Sequence, residues 1–294
     1  MKILITGANG QLGLSLLSSP AGTDGFEWVA TDYPGLDITD PSAVNRWVRI
    51  HHPAAIVNCA AYTEVDQAEK EPEKARLVNA VGPGILALAA KNERIPFIHI
   101  STDYVFSGKH WLPYRESNPP DPASVYGKSK LEGEEAVAKA GGTSVIIRTS
   151  WLYSEFGRNF FLTLLRLGKE KETVSVVMDQ IGCPTYAGDL ASAIIILLRG
   201  LTEKLDMHGK VSIFHFCNSG VASWYDFACE IMTVSGLTCK VIPVRTEQYP
   251  LPAPRPFYSV LDTSGFRNAF GISIPHWKES LQECYKKYLD KNKI

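Results

Sequence analysis

The sequence carries no excess charge of either sign: 30 lysines and arginines stand against 31 aspartates and glutamates in 294 residues. A nucleic-acid backbone or an anionic membrane is met by a strongly basic surface, so neither is expected as a partner and a small molecule is. Long apolar runs are missing too. The most apolar stretch, residues 193–198, is far shorter than the roughly 20 residues that cross a bilayer as a helix. The six cysteines, Cys59, Cys183, Cys217, Cys229, Cys239 and Cys284, include no C-x-x-C pair, which argues against a structural zinc site or a disulfide framework. No metal is expected, and a reducing compartment fits. The opening residues, Met1-Lys2-Ile3-Leu4-Ile5-Thr6-Gly7, hold too few apolar side chains for a signal-peptide core before a glycine-rich turn begins. The expected location is the cytoplasm.

What is present is an alternation of short β-branched runs with longer helical ones. Residues 2–6, 27–31, 55–58, 97–101 and 144–148 are rich in Ile and Val and mostly lack polar alternation, as strands covered on both faces should. Residues 12–18, 41–51, 73–92 and 125–140 have helical spacing between them, and Asp40-Pro41 and Glu71-Pro72 are helix-start signals. Repeated βα units predict an α/β fold with a doubly wound parallel Rossmann sheet, whose ligands sit at the carboxyl ends of the strands. After Trp151 the rhythm breaks, and Tyr249-Pro250-Leu251-Pro252-Ala253-Pro254-Arg255-Pro256 can be neither helix nor central strand. Residues 1–150 are therefore read as a dinucleotide-binding domain. Residues 151–294 are read mainly as a smaller, interleaved substrate-binding lobe, some of whose segments return to the first.

The first strand runs into Thr6-Gly7-Ala8-Asn9-Gly10-Gln11-Leu12-Gly13. Gly7 permits the tight turn, Gly10 lets the backbone approach a pyrophosphate, and Gly13 lets helix and strand pack closely. The helix start beyond offers unpaired N–H groups to the phosphates. Asp32, at the end of the second strand, has the spacing of a carboxylate that accepts from the ribose diol of NAD(H); the alternative is a turn aspartate before Pro34-Gly35. Asp37-Ile38 could flank the adenine or form another turn.

The strongest chemical signal is Val125-Tyr126-Gly127-Lys128-Ser129-Lys130-Leu131-Glu132-Gly133-Glu134. Tyr126 and Lys130 are four residues apart, hence on one helix face. A phenol titrates near pH 10, and an ammonium beside it would bring that value toward neutrality. Alone, Tyr-x-x-x-Lys occurs on many surface helices. Three βα units after a dinucleotide loop, it carries weight. Ser101 and Thr102 end the fourth strand, where a hydroxyl can donate to a substrate carbonyl or satisfy a local turn.

Together with Asn58-Cys59-Ala60-Ala61-Tyr62-Thr63, Ser101-Thr102-Asp103-Tyr104-Val105-Phe106, Arg148-Thr149-Ser150-Trp151-Leu152-Tyr153, Asp179-Gln180-Ile181-Gly182-Cys183-Pro184-Thr185-Tyr186, and Arg255-Pro256 with Ser259-Val260-Leu261-Asp262, these segments resemble the dTDP-4-dehydrorhamnose reductase family of extended short-chain dehydrogenases over nearly the whole chain. The resemblance implies an NAD(P)H-dependent oxidoreductase that reduces the C4 keto group of a nucleotide sugar. It implies that Gly10, Gln11 and Leu12 contact the pyrophosphate, that Asp32, Asp37 and Ile38 surround the adenosine, and that Ala60, Ala61, Tyr62 and Thr63 lie along the cofactor. Tyr126 would donate the proton and Lys130 would bind the nicotinamide ribose. Thr102 is preferred over Ser101 as the carbonyl's hydrogen-bond donor. Val65, Thr102, Asp103, Tyr104 and Trp151 would line the sugar pocket, and Arg255 is a candidate for the substrate diphosphate.

One departure stands out. Some reductases of this type hold a divalent metal at a dimer contact with glutamates, one of them early in the first helix, where this chain has Ser15; that metal is not expected, and the homodimer it would join is left open. Related dehydratases carry an Asp-Glu pair after the active-site threonine, whereas Asp103 is followed by Tyr104, which disfavours dehydration. An epimerase, a reductase of another 4-keto nucleotide sugar, and a non-catalytic NADP-binding subunit like that of methionine adenosyltransferase remain as alternatives.

Overall fold

The computed structural model describes residues 1–19, 25–203 and 209–292. Along the first half run β1 (Lys2–Thr6), α1 (Gln11–Leu17), β2 (Glu27–Thr31), α2 (Pro41–His51), β3 (Ala55–Asn58), α3 (Val65–Ala68), α4 (Pro72–Arg76), a π-helical turn (Leu77–Val81), α5 (Gly82–Asn92), β4 (Phe97–Thr102), a 3-10 turn (Asp103–Val105), α6 (Val125–Ala140) and β5 (Ser144–Thr149). The second half adds β6 (Leu152–Tyr153), α7 (Phe160–Glu170), β7 (Thr173–Val177), β8 (Ile181–Gly182), β9 (Thr185–Tyr186), α8 (Ala187–Glu203), β10 (Val211–His215), β11 (Ala222–Ser223), α9 (Trp224–Ser235), β12 (Lys240–Val244), α10 (Ser264–Phe270) and α11 (Trp277–Lys291).

Six strands form one sheet in the order β10-β5-β4-β3-β1-β2, and every pairing in it is parallel. The expected Rossmann sheet is thus present, with one strand more than the sequence reading supplied. The inner strands β1, β3, β4 and β5 are largely apolar on both faces because both are covered. Ile3, Ile5, Val57, Ile98 and Val145 pack toward α1 and α8, and Leu4, Ile56, Phe97 and Ile146 toward α2, α5 and α6. Each such side chain, fully buried, contributes about 1.5–3 kcal/mol.

β1 lies between β2 and β3, so successive connections leave it in opposite directions. The resulting crevice opens at the carboxyl ends of β1 and β3, the position where doubly wound sheets take their ligands. Hydrogen bonds lock these ends together: Thr6 Oγ1 donates to Asn58 Oδ1 (2.6 Å), and Asn58 Nδ2 lies 3.0 Å from His99 Nδ1 on β4.

The helical stretch expected over 73–92 is broken into α4, the π turn and α5. Pro83 is the cause, because it has no N–H to give the carbonyl of Asn79 and its ring crowds that carbonyl. The freed Asn79 carbonyl points at Gly133 of α6, so closely that a Cβ on Gly133 could not be accommodated.

Later segments divide among several cores. Leu190, Ala191, Ile194, Leu197 and Leu198 of α8 pack under the sheet, and β10 pairs with β5. Tyr153, Phe161, Leu164, Tyr186, Phe227, Ile231, Trp277 and Leu281 form a separate apolar cluster.

Candidate functional site

Gly7, at φ +66°, turns the chain out of β1 directly against the loop after β3; a Cβ there would come within 2.5 Å of the Ala60 nitrogen. A side chain on Gly13 would meet Ala8 at 2.6 Å, whereas one on exposed Gly10 would meet only the Gly7 carbonyl at 3.2 Å. Gly10 also caps α1 without any side-chain hydrogen bond. A narrow, backbone-lined cradle with an open middle glycine fits a pyrophosphate. Leu12 is buried beneath it and Gln11 half-buried at its rim.

Asp32 reaches this loop. Its Oδ2 accepts from the Asn9 N–H (2.9 Å) and its Oδ1 from the Tyr33 N–H (2.8 Å), so the carboxylate already organises the turn. Asp37 accepts from the backbone and hydroxyl of Thr39 (2.8 and 2.7 Å). Ile38 is 6% exposed and packs where a Cβ on Gly82 would strike it at 2.7 Å, so most of its side chain faces the core. Across the crevice Ala60, Ala61 and Tyr62 are half-buried and Thr63 exposed. The Tyr62 N–H donates to Asn79 Oδ1 (2.8 Å), Asn79 Nδ2 returns a bond to the Tyr62 carbonyl (3.0 Å), and the Tyr62 phenol donates to Glu71 (2.8 Å). Ser15 is turned inward onto the Gln11 carbonyl (2.8 Å).

Thr102, Asp103 and Tyr126 converge beyond β4, and Lys130 lies one turn further along α6. Ser124 caps α6 by accepting from the Gly127 N–H (3.1 Å), and Gly127 admits the Tyr104 carbonyl where any Cβ would collide with it. That contact seats Tyr126 against Tyr104, ring edge to ring face at 5.5 Å. Thr102 Oγ1 donates to Asp103 Oδ1 (3.1 Å) and accepts from the Tyr104 N–H (3.2 Å). Asp103 is 1% exposed and its Oδ2 has no hydrogen-bond partner; burial pushes it up to about 6, against the nearby hydroxyls of Ser259 and Thr102.

Lys130 is 2% exposed and donates to the Ile100 carbonyl (2.6 Å). Burial pulls it down to about 8, opposed by the negative charge of Glu134. The expected contact between ammonium and phenol is not formed, since Lys130 is drawn to the β4 backbone instead. The phenol is accordingly not lowered: burial pushes Tyr126 up to about 12, with the Thr102 hydroxyl opposing and Asp103 adding to the rise.

On the sugar side Val65 and Tyr104 are half-buried. Arg255 is not a free cation. Its Nη1 and Nη2 clasp Asp66 at 3.0 and 2.7 Å, and the Ala253 N–H donates to the same carboxylate (3.1 Å), which pins the proline-rich segment to α3. Trp151 sits in the left-handed region at φ +46°, uncommon for a bulky residue. One indole face is stacked on Trp224 at 3.7 Å, and Gly182 lies so near the ring that a Cβ would approach within 2.6 Å. Less ring is left for a sugar than expected.

The RmlD substrate binding domain family matches residues 1–290. The chain belongs to the RmlD family. Its relatives include the spore coat polysaccharide biosynthesis protein SpsK of Bacillus subtilis, 45% identical over 96% of both chains. The dTDP-4-dehydrorhamnose reductase of Sinorhizobium fredii is 42% identical over 95% of each. The crystal structure of dTDP-4-dehydrorhamnose reductase from Bacillus anthracis in complex with NADP superposes with a TM-score of 0.91 at 39% identity, covering 97% of this chain and 99% of that one.

In this RmlD-family chain several groups that the sequence reading passed over hold the site together. Gln11 Oε1 accepts from Ser154 (3.1 Å) and from Asn159 Nδ2 (2.9 Å), so the glycine loop is tied to the segment that opens α7. Asn159 also caps α7 by accepting from the Leu162 N–H (3.0 Å). Asn79 links Tyr62 to Ser129 of α6 (3.0 Å). Glu134 pairs with Arg148 in the core (2.6 Å). The signal available beforehand was slight: Asn159 before an apolar helical run reads as an N-cap, and Glu134 falls one turn beyond Lys130. Among the described residues, no group of three or more His, Cys, Asp or Glu side chains is arranged to hold a metal, and no helix is long and apolar enough to cross a membrane.

Proposed function

We propose that this chain reduces the C4 keto group of dTDP-4-dehydro-6-deoxy-L-mannose to dTDP-L-rhamnose with NADPH or NADH. The observation that carries the reading is that Thr102 ends β4 while α6, which bears Tyr126 and Lys130, packs against that strand, in a chain of this family. Two reductase relatives support it, one crystallised with NADP.

In this reading the loop of Gly7, Gly10 and Gly13 holds the pyrophosphate, with Gln11 and Leu12 along it. Asp32 and Asp37 lie toward the adenosine, and Ala60 to Thr63 form the opposite wall. The reduced nicotinamide supplies the hydride. Tyr126, whose burial keeps its proton on at neutral pH, gives that proton to the carbonyl oxygen as negative charge develops there, and Thr102 supplies a hydrogen bond to the same oxygen. Lys130 holds the nicotinamide ribose. Val65, Asp103, Tyr104 and Trp151 surround the sugar, and Arg255 exchanges Asp66 for the substrate diphosphate. Residues 1–150 carry the cofactor and residues 151–294 mainly the nucleotide sugar, in a cytoplasmic protein that pairs as a homodimer.

The test is oxidation of NADPH and of NADH on adding a 4-keto-6-deoxy nucleotide sugar generated in place, with rhamnose recovered on the nucleotide. Cofactor binding with no turnover on this substrate would overturn the reading in favour of a non-catalytic subunit.

A further inference from the structure

Tyr126, Lys130 and Glu134 follow one another at four-residue intervals along α6, so they share one face of the helix. The proposed reaction uses the first two. Glu134 is as deeply buried as Lys130, at 3% and 2% exposure, and a buried carboxylate persists only where opposite charge and hydrogen bonds offset its desolvation. Both its oxygens are engaged. Ser101 of β4 donates to Oε1 (2.5 Å), and Arg148 of β5 donates through Nε to Oε1 (2.9 Å) and through Nη2 to Oε2 (2.6 Å). The carboxylate is thus fixed in place by two strands while its helix carries the lysine past it.

We infer that Glu134, clamped by Arg148 and Ser101, is a positioning residue that keeps Lys130 in its ammonium form under the crevice at neutral pH. The inference rests on the reading of Lys130 as the group that holds the nicotinamide ribose. Lys130 makes one hydrogen bond, to Ile100, and that alone does not solvate an ammonium. The titratable groups facing it are Glu134 on its own helix, Cys59 after β3 and His99 on β4, with Arg148 of β5 behind Glu134. Burial pushes the Cys59 thiol up to about 12 and holds His99 well below its ordinary range, so both are neutral near pH 7. Of these neighbours only Glu134 supplies negative charge.

The experiment is an NMR titration of the full chain labelled at lysine Cε, with Lys130→Met to assign the signal, set beside the pH profile of kcat/KM. Glu134→Gln is expected to lower the Lys130 midpoint by about one pH unit, the size of one charge at close range in a partly screened interior, and to carry the alkaline limb of the profile with it. Because that change strands a buried arginine, a second variant, Glu134→Gln with Arg148→Met, removes both charges, an exchange that buried pairs commonly tolerate. Its midpoint is expected below that of the wild type by a smaller margin. A midpoint indistinguishable from the wild type, in whichever variant folds, overturns the inference. The titration reads Lys130 without turnover, so a midpoint that shifts in the variants while the wild-type chain reduces no sugar would refute the reductase reading alone.

Discussion

Replacing Lys130 with methionine is expected to make the protein more stable and less active at the same time. The ammonium is 2% exposed with one hydrogen bond, to Ile100, and burial lowers it from 10.5 to about 8. The unfolded chain therefore binds this proton more tightly than the folded one. Below pH 8 both states are protonated and folding bears the whole cost; as pH rises from about 8 to 10.5 the unfolded chain still holds its proton, and stability increases through that window. At 1.36 kcal/mol per unit the cost is on the order of 3 kcal/mol. Losing the bond to Ile100 returns about 1 kcal/mol, so Lys130→Met should gain about 1–3 kcal/mol at pH 7, a methionine of similar length filling the space. Urea denaturation of both proteins at pH 7 and near pH 10 measures this as a difference. The advantage of the variant should shrink toward pH 10 while its turnover stays low, the trade expected where a buried charge serves function. A variant less stable than wild type at pH 7, or an advantage that does not change with pH, would refute the electrostatic account of Lys130.

Tyr126→Phe keeps the ring seated against Tyr104 and removes the acid, so kcat should fall by about 10²–10⁴ with cofactor affinity, read by fluorescence, unchanged; near-normal turnover would remove Tyr126 from the mechanism. Asp32→Ala should weaken NADH about tenfold, as loss of a charged hydrogen bond does, and NADPH less. Equal losses in a binding titration would mean that the carboxylate only holds Asn9 and Tyr33. Asn159→Ala removes both the α7 cap and the tether to Gln11, and should cost about 1 kcal/mol of stability together with a raised KM for the cofactor. Stability lost with KM unchanged would confine Asn159 to capping.

What could be read beforehand followed rules that act within a few residues. Five strands and α2 and α6 stand where β-branched runs, Asp40-Pro41 and helical spacing put them. β10 escaped because Val211-Ser212-Ile213-Phe214-His215 is a strand in this sheet only through its partner β5, more than sixty residues earlier, and β propensity depends on such neighbours. Pro83 was visible, but the π turn it imposes also needs α6 to receive the displaced Asn79 carbonyl.

The site divides along the same line. Thr102, Tyr126 and Lys130 could be named from spacing and resemblance, since their backbone positions follow from one strand end and one helix. The ionisation of Tyr126 and Lys130 could not, because it is set by groups brought in from elsewhere. Arg255 looked like a free cation until Asp66, 189 residues earlier, closed on it. Lys130 looked like the partner of Tyr126, yet Ile100 claims its ammonium, and Glu134 and Arg148, joined between α6 and β5, set the field around it. A four-residue interval states which side chains share a face; only the packed strands beneath decide which of them interact. The electrostatics of this helix therefore belong to the sheet as much as to its own sequence. A change at Arg148, far from any reacting atom, should be felt at the lysine through Glu134 before it is felt at the tyrosine.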